Sequence, residues 1–153
     1  MYLKIKRVCN EARELTYATQ GSAGLDLSYP YKEKITILPG EKKLISSGIA
    51  IEIPDNCEAQ IRSRSGFASK FGIIVLNAPA TIDSDYRGEI KILLFNCSKE
   101  SFILEQHMRI AQLVIAPILR PKIEYVDKLS STSRGEKGFG SSGSFYKLDK
   151  EIV

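Results

Sequence analysis

Apolar residues at every second position, interrupted at short intervals by proline and glycine, restrict this chain more than any other feature. Leu3 and Ile5 alternate with Lys4 and Lys6, and the same spacing recurs at Ile35 and Ile37, at Ile49, Ile51 and Ile53, and at Ile90, Ile92 and Leu94. A two-residue period places all the apolar side chains of a run on one face of an extended backbone, which predicts half-buried strands. Pro30, Pro39-Gly40, Pro54-Asp55, Pro79, Pro117 and Pro121 lie between the runs, where a missing N–H breaks no central ladder. Many short strands with frequent turn signals predict an all-β sandwich or barrel.

One segment has helical spacing instead. In Ser65-Gly-Phe-Ala-Ser-Lys-Phe-Gly72, Phe67 and Phe71 are four residues apart, Ser65 is placed to cap and Gly72 to terminate, so one short helix is expected. From Ser130 to Ser144 the chain is nearly all serine, glycine and charge, with Phe139 the only large apolar residue before Phe145. Residues 1–129 are therefore expected to form the β core, and 130–153 a flexible Gly-rich C-terminal arm. The whole chain, at 153 residues, is the size of one ordinary domain.

The charge pattern narrows the partners. A net charge of +4, with basic residues scattered among acids, lacks the Lys/Arg block of a nucleic-acid arm and favours small anions. No apolar run is long enough for a signal peptide or a membrane span, so neither membrane nor nucleic acid is expected as a partner. Cys9, Cys57 and Cys97 are odd in number, widely spaced and without a CxxC pair, which argues against a disulfide framework or zinc site. They are expected to fill core space in a protein of the reducing cytoplasm. His107 is the single histidine, read as a surface or strand-edge residue, so general-base work falls to a carboxylate.

Four segments carry groups suited to chemistry. Alternation from Cys57 to Arg64 brings Arg64 to the mouth of the short helix, where free N–H groups and Ser65 form either a phosphate cradle or an ordinary cap beside a solvated arginine. Asn77 to Glu89, NAPATIDSDYRGE, is a Pro-containing turn followed by Asp83, Asp85, Arg87 and Glu89. A carboxylate there is either solvated or a base for water, and Asn77 is an amide able to read a nucleobase edge. Gln112 interrupts an apolar strand, as a satisfied core amide or as a holder of phosphate or water. Gly138, Gly140 and Gly143 have GxGxxG spacing, but no strand leads in and no helix can follow, so this is no dinucleotide fingerprint. A strap remains, or a disordered tail, with Arg134 and Ser141 able to wrap phosphate and Phe139 able to stack on a ring.

In order along the chain, AGLDL from Ala23, RSGFA from Arg64, NAPATIDSDYRGE, RIAQL from Arg109 and RGEKGFGSSG from Arg134 resemble the five motifs of the trimeric dUTP diphosphatases, or dUTPases. The resemblance spans nearly the whole chain. It implies an all-β, distorted jelly-roll-like β-barrel and a homotrimer with each active site shared among three chains. It also implies hydrolysis of dUTP to dUMP and pyrophosphate, keeping uracil out of DNA and supplying dUMP for thymidylate synthesis. By the same resemblance, Asp83 activates the water that attacks the α-phosphorus. Asn77 and the backbone of its hairpin read uracil, and Tyr86 packs under deoxyribose. Arg64, Ser65, Gly66 and Gln112 grip phosphates, and Asp26 holds Mg2+ through water. The arm brings Phe139 onto uracil and Arg134, Ser141 and Ser142 onto the terminal phosphates; Ile82, Lys91 and Gly140 complete the substrate-binding set. Lys137 stands where this family's arm usually has glycine, and Ser142 where threonine is common. dCTP deaminase shares the fold but carries a different third motif, and a non-catalytic nucleotide sensor on the same trimer is the reading from outside the enzymes.

Overall fold

The structure, a computed structural model, describes residues 1–139 and 141. By contacts the chain divides into two units, Met1–Arg120 and Pro121–Val153. The described residues of the second unit form neither strand nor helix.

The first unit holds ten strands and one helix: β1 Lys4–Arg7, β2 Leu25–Ser28, β3 Ile35–Ile37, β4 Lys42–Glu52, β5 Cys57–Arg62, α1 Ser65–Phe71, β6 Ile73–Val75, β7 Ala80–Ile82, β8 Glu89–Asn96, β9 Phe102–Leu104 and β10 Arg109–Pro117. They make two four-stranded sheets, β1-β4-β8-β6 and β2-β10-β5-β7, and a β3-β9 ribbon. All pairings are antiparallel. None joins strands consecutive in the chain, because every connection carries the chain from one sheet to another.

The alternation predicts the buried faces of the inner strands, whereas the edge strand β1 is exposed throughout, Ile5 included. Ile90, Ile92 and Leu94 of β8, Ala59 and Ile61 of β5, and Leu25 and Leu27 of β2 meet in one core between the sheets. Burying one such aliphatic side chain is worth roughly 1.5–3 kcal/mol. Asn96 is also fully buried, and its amide is satisfied by donating to the carbonyls of Ile37 (2.9 Å) and Glu100 (2.8 Å). β4 departs from simple alternation. Its register with β8 shifts between Ser46 and Ala50, and Gly48 takes φ +74° where a Cβ would stand 2.7 Å from Cys9 Sγ.

The helix forms where expected, with one difference. Arg64, not Ser65, is the N-cap residue, and it makes no side-chain cap bond; Ser65 is already helical. Gly72 ends the helix in the left-handed conformation, its N–H donating to the Ala68 carbonyl at 2.9 Å. Phe67 and Phe71 meet Phe102 in a three-ring cluster with every centroid separation 5.3 Å, which pins α1 to the barrel.

Two further expectations need correction. Cys57 is buried and Cys9 half-buried, but Cys97 is exposed, its thiol donating to the Gly72 carbonyl instead of filling the core. The Asn77 segment is not a hairpin: β6 pairs with β8 and β7 with β5, so this stretch crosses between the sheets. A hairpin of two three-residue strands would be marginal alone, whereas Val75 and Ala80 are buried where each strand extends a larger sheet.

Candidate active site

Three distant segments converge on a cleft of about 330 Å3 bordered by Ser22, Gly24, Asp26, Arg64, Ser65, Gly66, Arg109 and Gln112. Register explains the convergence. Gln112 of β10 lies opposite Asp26 of β2 on one side and Arg62 of β5 on the other, and β5 runs directly into α1. Asp26 is the hub: its Oδ1 is 2.8 Å from Arg64 Nε and its Oδ2 2.8 Å from Arg109 Nη1. Arg64 Nη1 also donates to the Arg109 carbonyl at 2.9 Å. Two guanidiniums against one carboxylate leave a positive excess, which favours an anion.

The cleft also has free donors. The first N–H groups of a helix lack intrahelical partners, and no side chain caps α1. Gly66 has open space where a Cβ would stand. Gln112 resolves as a wall of this cleft, half-buried, with Nε2 donating to the Ser63 carbonyl at 3.0 Å. A Cβ on Gly24 would lie 2.5 Å from Gln112 Oε1, so the glycine makes room for the amide. Arg109 was not singled out from the sequence as a site residue; a cation opening an otherwise apolar strand was the available signal.

A second cluster occupies the crossing between β7 and β8. Asp83 is exposed, while the next residue, Ser84, is buried. The Tyr86 N–H donates to the Asp83 carbonyl at 3.1 Å, closing a turn, and the Tyr86 hydroxyl donates to the Glu89 carbonyl at 3.0 Å. Gly88 lies against the hydroxyl end of the Tyr86 ring, where a Cβ would stand 2.5 Å from Cζ. Glu89 anchors the far end through Oε1, which accepts the Gly48 N–H at 2.8 Å. Burial first, then the nearby Glu89 and Cys9, push the Tyr31 hydroxyl up to about 12, so it stays neutral. Asn77 is exposed on the other crossing beside the Ala78-Pro79 cis peptide, Ile82 is half-buried at the end of β7, and Lys91 projects from β8 into solvent.

One chain does not bring these two clusters together. Ile82 pairs with Ala59, so Asp83 is level with Glu58, whereas Arg64 lies six positions further along from Glu58. At about 3.3 Å per residue that is roughly 20 Å. His107 takes no part in the Asp83 turn. It sits before β10 at φ +67°, its N–H donating to the Tyr29 carbonyl at 2.6 Å and its buried Nδ1 without a partner among the described residues.

In the second unit, Arg134 Nε donates to the Lys137 carbonyl at 3.0 Å, Phe139 is fully exposed at φ +42°, and the Ser141 N–H donates to the Gly138 carbonyl at 3.1 Å. Lys137, replacing the usual glycine, is not at a positive-φ position, so its Cβ causes no backbone strain there. Gly140 and Ser142 lie outside the described residues. Among the described residues no three His, Cys, Asp or Glu side chains cluster to hold a metal, and no helix is long and apolar enough to cross a membrane.

Comparison with known proteins gives a consistent answer. The dUTPase family profile matches residues 10–143. A deoxyuridine 5'-triphosphate nucleotidohydrolase of Alkaliphilus metalliredigens is 55% identical over 141 residues, covering 92% of this chain and 96% of that protein. One from Orientia tsutsugamushi is 58% identical over 127 residues, 83% of this chain and 86% of its own length. Among solved structures, the Staphylococcus bacteriophage 80alpha dUTPase with dUPNHPP superposes with TM-score 0.84 at 31% identity, covering 93% of this chain and 98% of that one. With a profile match across most of its length and relatives more than half identical, the chain belongs to the dUTPase family.

Proposed function

We propose that this protein hydrolyses dUTP to dUMP and pyrophosphate, with Asp83 as the base for the attacking water and the Asp26–Arg64–Arg109–Gln112 cleft as the phosphate grip. The observation that carries the reading is the pairing, in a dUTPase-family chain, of a cationic cleft with an exposed carboxylate on an anchored turn. In the reaction Asp83 orients water and takes its proton as oxygen attacks the α-phosphorus, and pyrophosphate leaves. Arg64, Ser65, Gly66 and Gln112 hold the triphosphate oxygens, which aligns the leaving group with the attacking water. Asn77 reads uracil. Tyr86, with Gly88 against its hydroxyl end, forms a platform under deoxyribose that leaves no room for a ribose 2′-hydroxyl. Arg134, Phe139, Gly140, Ser141 and Ser142 belong to the arm that covers the bound nucleotide.

The reading includes a homotrimer with shared sites, and the spacing within one chain supports the sharing. The roughly 20 Å between Asp83 and Arg64 in one chain, at about 3.3 Å per residue, is a distance neighbouring phosphates of one triphosphate do not bridge. On this reading the base of one copy works with the grip of another.

Mg2+, were it bound with the triphosphate, would be held through water by Asp26. Asp26 Oδ2 accepts an Arg109 N–H and Oδ1 is ion-paired with Arg64, yet each oxygen keeps a lone pair, so Asp26 suits a metal held through water and not a resident ion. The metal, when bound, neutralises triphosphate charge.

The test is Asp83→Asn, assayed for pyrophosphate release from dUTP with magnesium and for ammonia release from dCTP. Turnover should fall about 10²–10⁴-fold with dUTP binding retained. Near-parental turnover removes Asp83 from its role, and ammonia from dCTP in the parent would reassign the reaction to deamination.

A further inference from the structure

We infer that Arg120 is a positioning residue for Asp83, holding the catalytic turn against the end of the barrel. The inference rests on the assignment of Asp83 as the base.

Among the described residues the Asp83 carboxylate makes no hydrogen bond or ion pair, so its placement is inherited from the backbone that carries it. That backbone is fixed one residue later, at Ser84, which is only 8% exposed. Two guanidiniums hold Ser84. Arg87 Nη1 donates to its carbonyl at 2.6 Å, but Arg87 belongs to the same turn, and its contact outside the turn is a long 4.0 Å ion pair from Nε to Glu52 of β4. Arg120 Nη2 donates to the Ser84 hydroxyl at 3.3 Å, and Nη1 of the same group donates to the Asp55 carbonyl at 3.2 Å.

Arg120 therefore ties the turn to something outside it. It follows β10, and the Ile118 N–H donates to the Asn56 carbonyl at 2.9 Å, so the root of the Arg120 side chain is held to the same β4–β5 connection that its guanidinium reaches. A planar fork meets two acceptors in one orientation, and a lysine ammonium does not reproduce that geometry. Both bonds are longer than a tight charge-assisted contact, which suits a part that orients more than it stabilises. Nothing in this arrangement touches the phosphate cleft, so its loss should disturb the attack and not the grip.

The experiment uses the full chain with Arg120→Met, Arg120→Lys, Ser84→Ala, the Arg120→Met/Ser84→Ala pair and Asp83→Asn. The readouts are kcat and KM for dUTP, the Kd of an α,β-imido dUTP analogue, and thermal melting. Arg120→Met should lower kcat on the order of 10-fold while KM and analogue affinity stay within about twofold, as for a small misplacement of a reacting group. Lysine should restore part of the loss. On the Ser84→Ala background Arg120→Met should cost less than about twofold more, because the two act through one contact.

Unchanged kcat in Arg120→Met, additive losses in the pair, or analogue affinity falling in step with kcat would each overturn the inference. If Arg120→Met fails to fold, Ser84→Ala decides: parental kcat there refutes it, and a selective kcat loss supports it. Retained turnover in Asp83→Asn would bring down the base assignment itself. An inactive Asp83→Asn beside a parental Arg120→Met would remove only the role of Arg120.

Discussion

Gly88→Ala isolates the sugar platform with a single methyl group. Gly88 does not have a positive φ, so the backbone accepts alanine, and the effect comes from what the Cβ meets. That atom would collide with the Tyr86 hydroxyl oxygen and lie 2.5 Å from Cζ and 3.0 Å from Cε2. Carbon atoms prefer about 3.5–4.0 Å, so the ring must retreat by roughly 1 Å at Cζ. Tyr86 is 45% exposed, so it can swing into water, at the loss of its 3.0 Å bond to the Glu89 carbonyl. That bond is worth about 1 kcal/mol, and little burial is lost with it, so melting should fall by only a few degrees. Catalysis should suffer more, because a 1 Å misplacement can cost about 10²-fold. We expect kcat/KM for dUTP to drop by about 10–100-fold and the dUTP-over-UTP ratio to shrink, since the displaced ring no longer excludes the 2′-hydroxyl. The assay is steady-state kinetics on both nucleotides for the parent, Gly88→Ala, Tyr86→Ala and the pair. Because the methyl acts through the ring, Gly88→Ala should cost almost nothing on the Tyr86→Ala background. A full additional loss in the pair, or an unchanged dUTP-over-UTP ratio in the single variant, would refute the argument.

Three other perturbations test separate parts of the structure. Gly24→Ala should push Gln112 off its Ser63 bond and raise KM for dUTP by about 5–10-fold, near the 1 kcal/mol of one hydrogen bond; a KM within twofold of the parent would separate Gln112 from phosphate binding. Ile92→Ala, at a fully buried β8 position, should cost about 2–5 kcal/mol in urea unfolding, and a loss under 1 kcal/mol would mean the core is less tightly packed there. The Glu41 carboxyl is held below its ordinary 4.5, chiefly by the Leu38 N–H and also by Lys43, so its charge favours the folded state above 4.5. That contribution is lost as pH falls through the lowered folded value, so the stability gap between the parent and Glu41→Gln should close below about pH 4.5. A gap independent of pH would rule out the charge as its source.

Local chemistry made much of this protein legible in its sequence. Two-residue alternation located the strands and their inward faces, such as Ile90, Ile92 and Leu94, because strand geometry fixes which side each residue takes. Helical spacing found Phe67 and Phe71, and Gly72 marked the end of α1, since both signals act within one or two turns. The motifs named Asp26, Arg64, Ser65, Gly66 and Gln112 of the cleft but gave Arg109 no role. Only the tertiary structure decided which strand lies beside which. No consecutive strands pair, so each partner is chosen across many residues by how two sheets close over one core, and local periodicity carries no record of that choice. The same long-range register turned the expected Asn77 hairpin into a crossing, put Arg109 against Asp26, and laid Gly88 against the hydroxyl end of Tyr86. It also set Asp83 far from Arg64, because Asp83 follows β7 beside the start of β5 whereas Arg64 lies just past the end of β5.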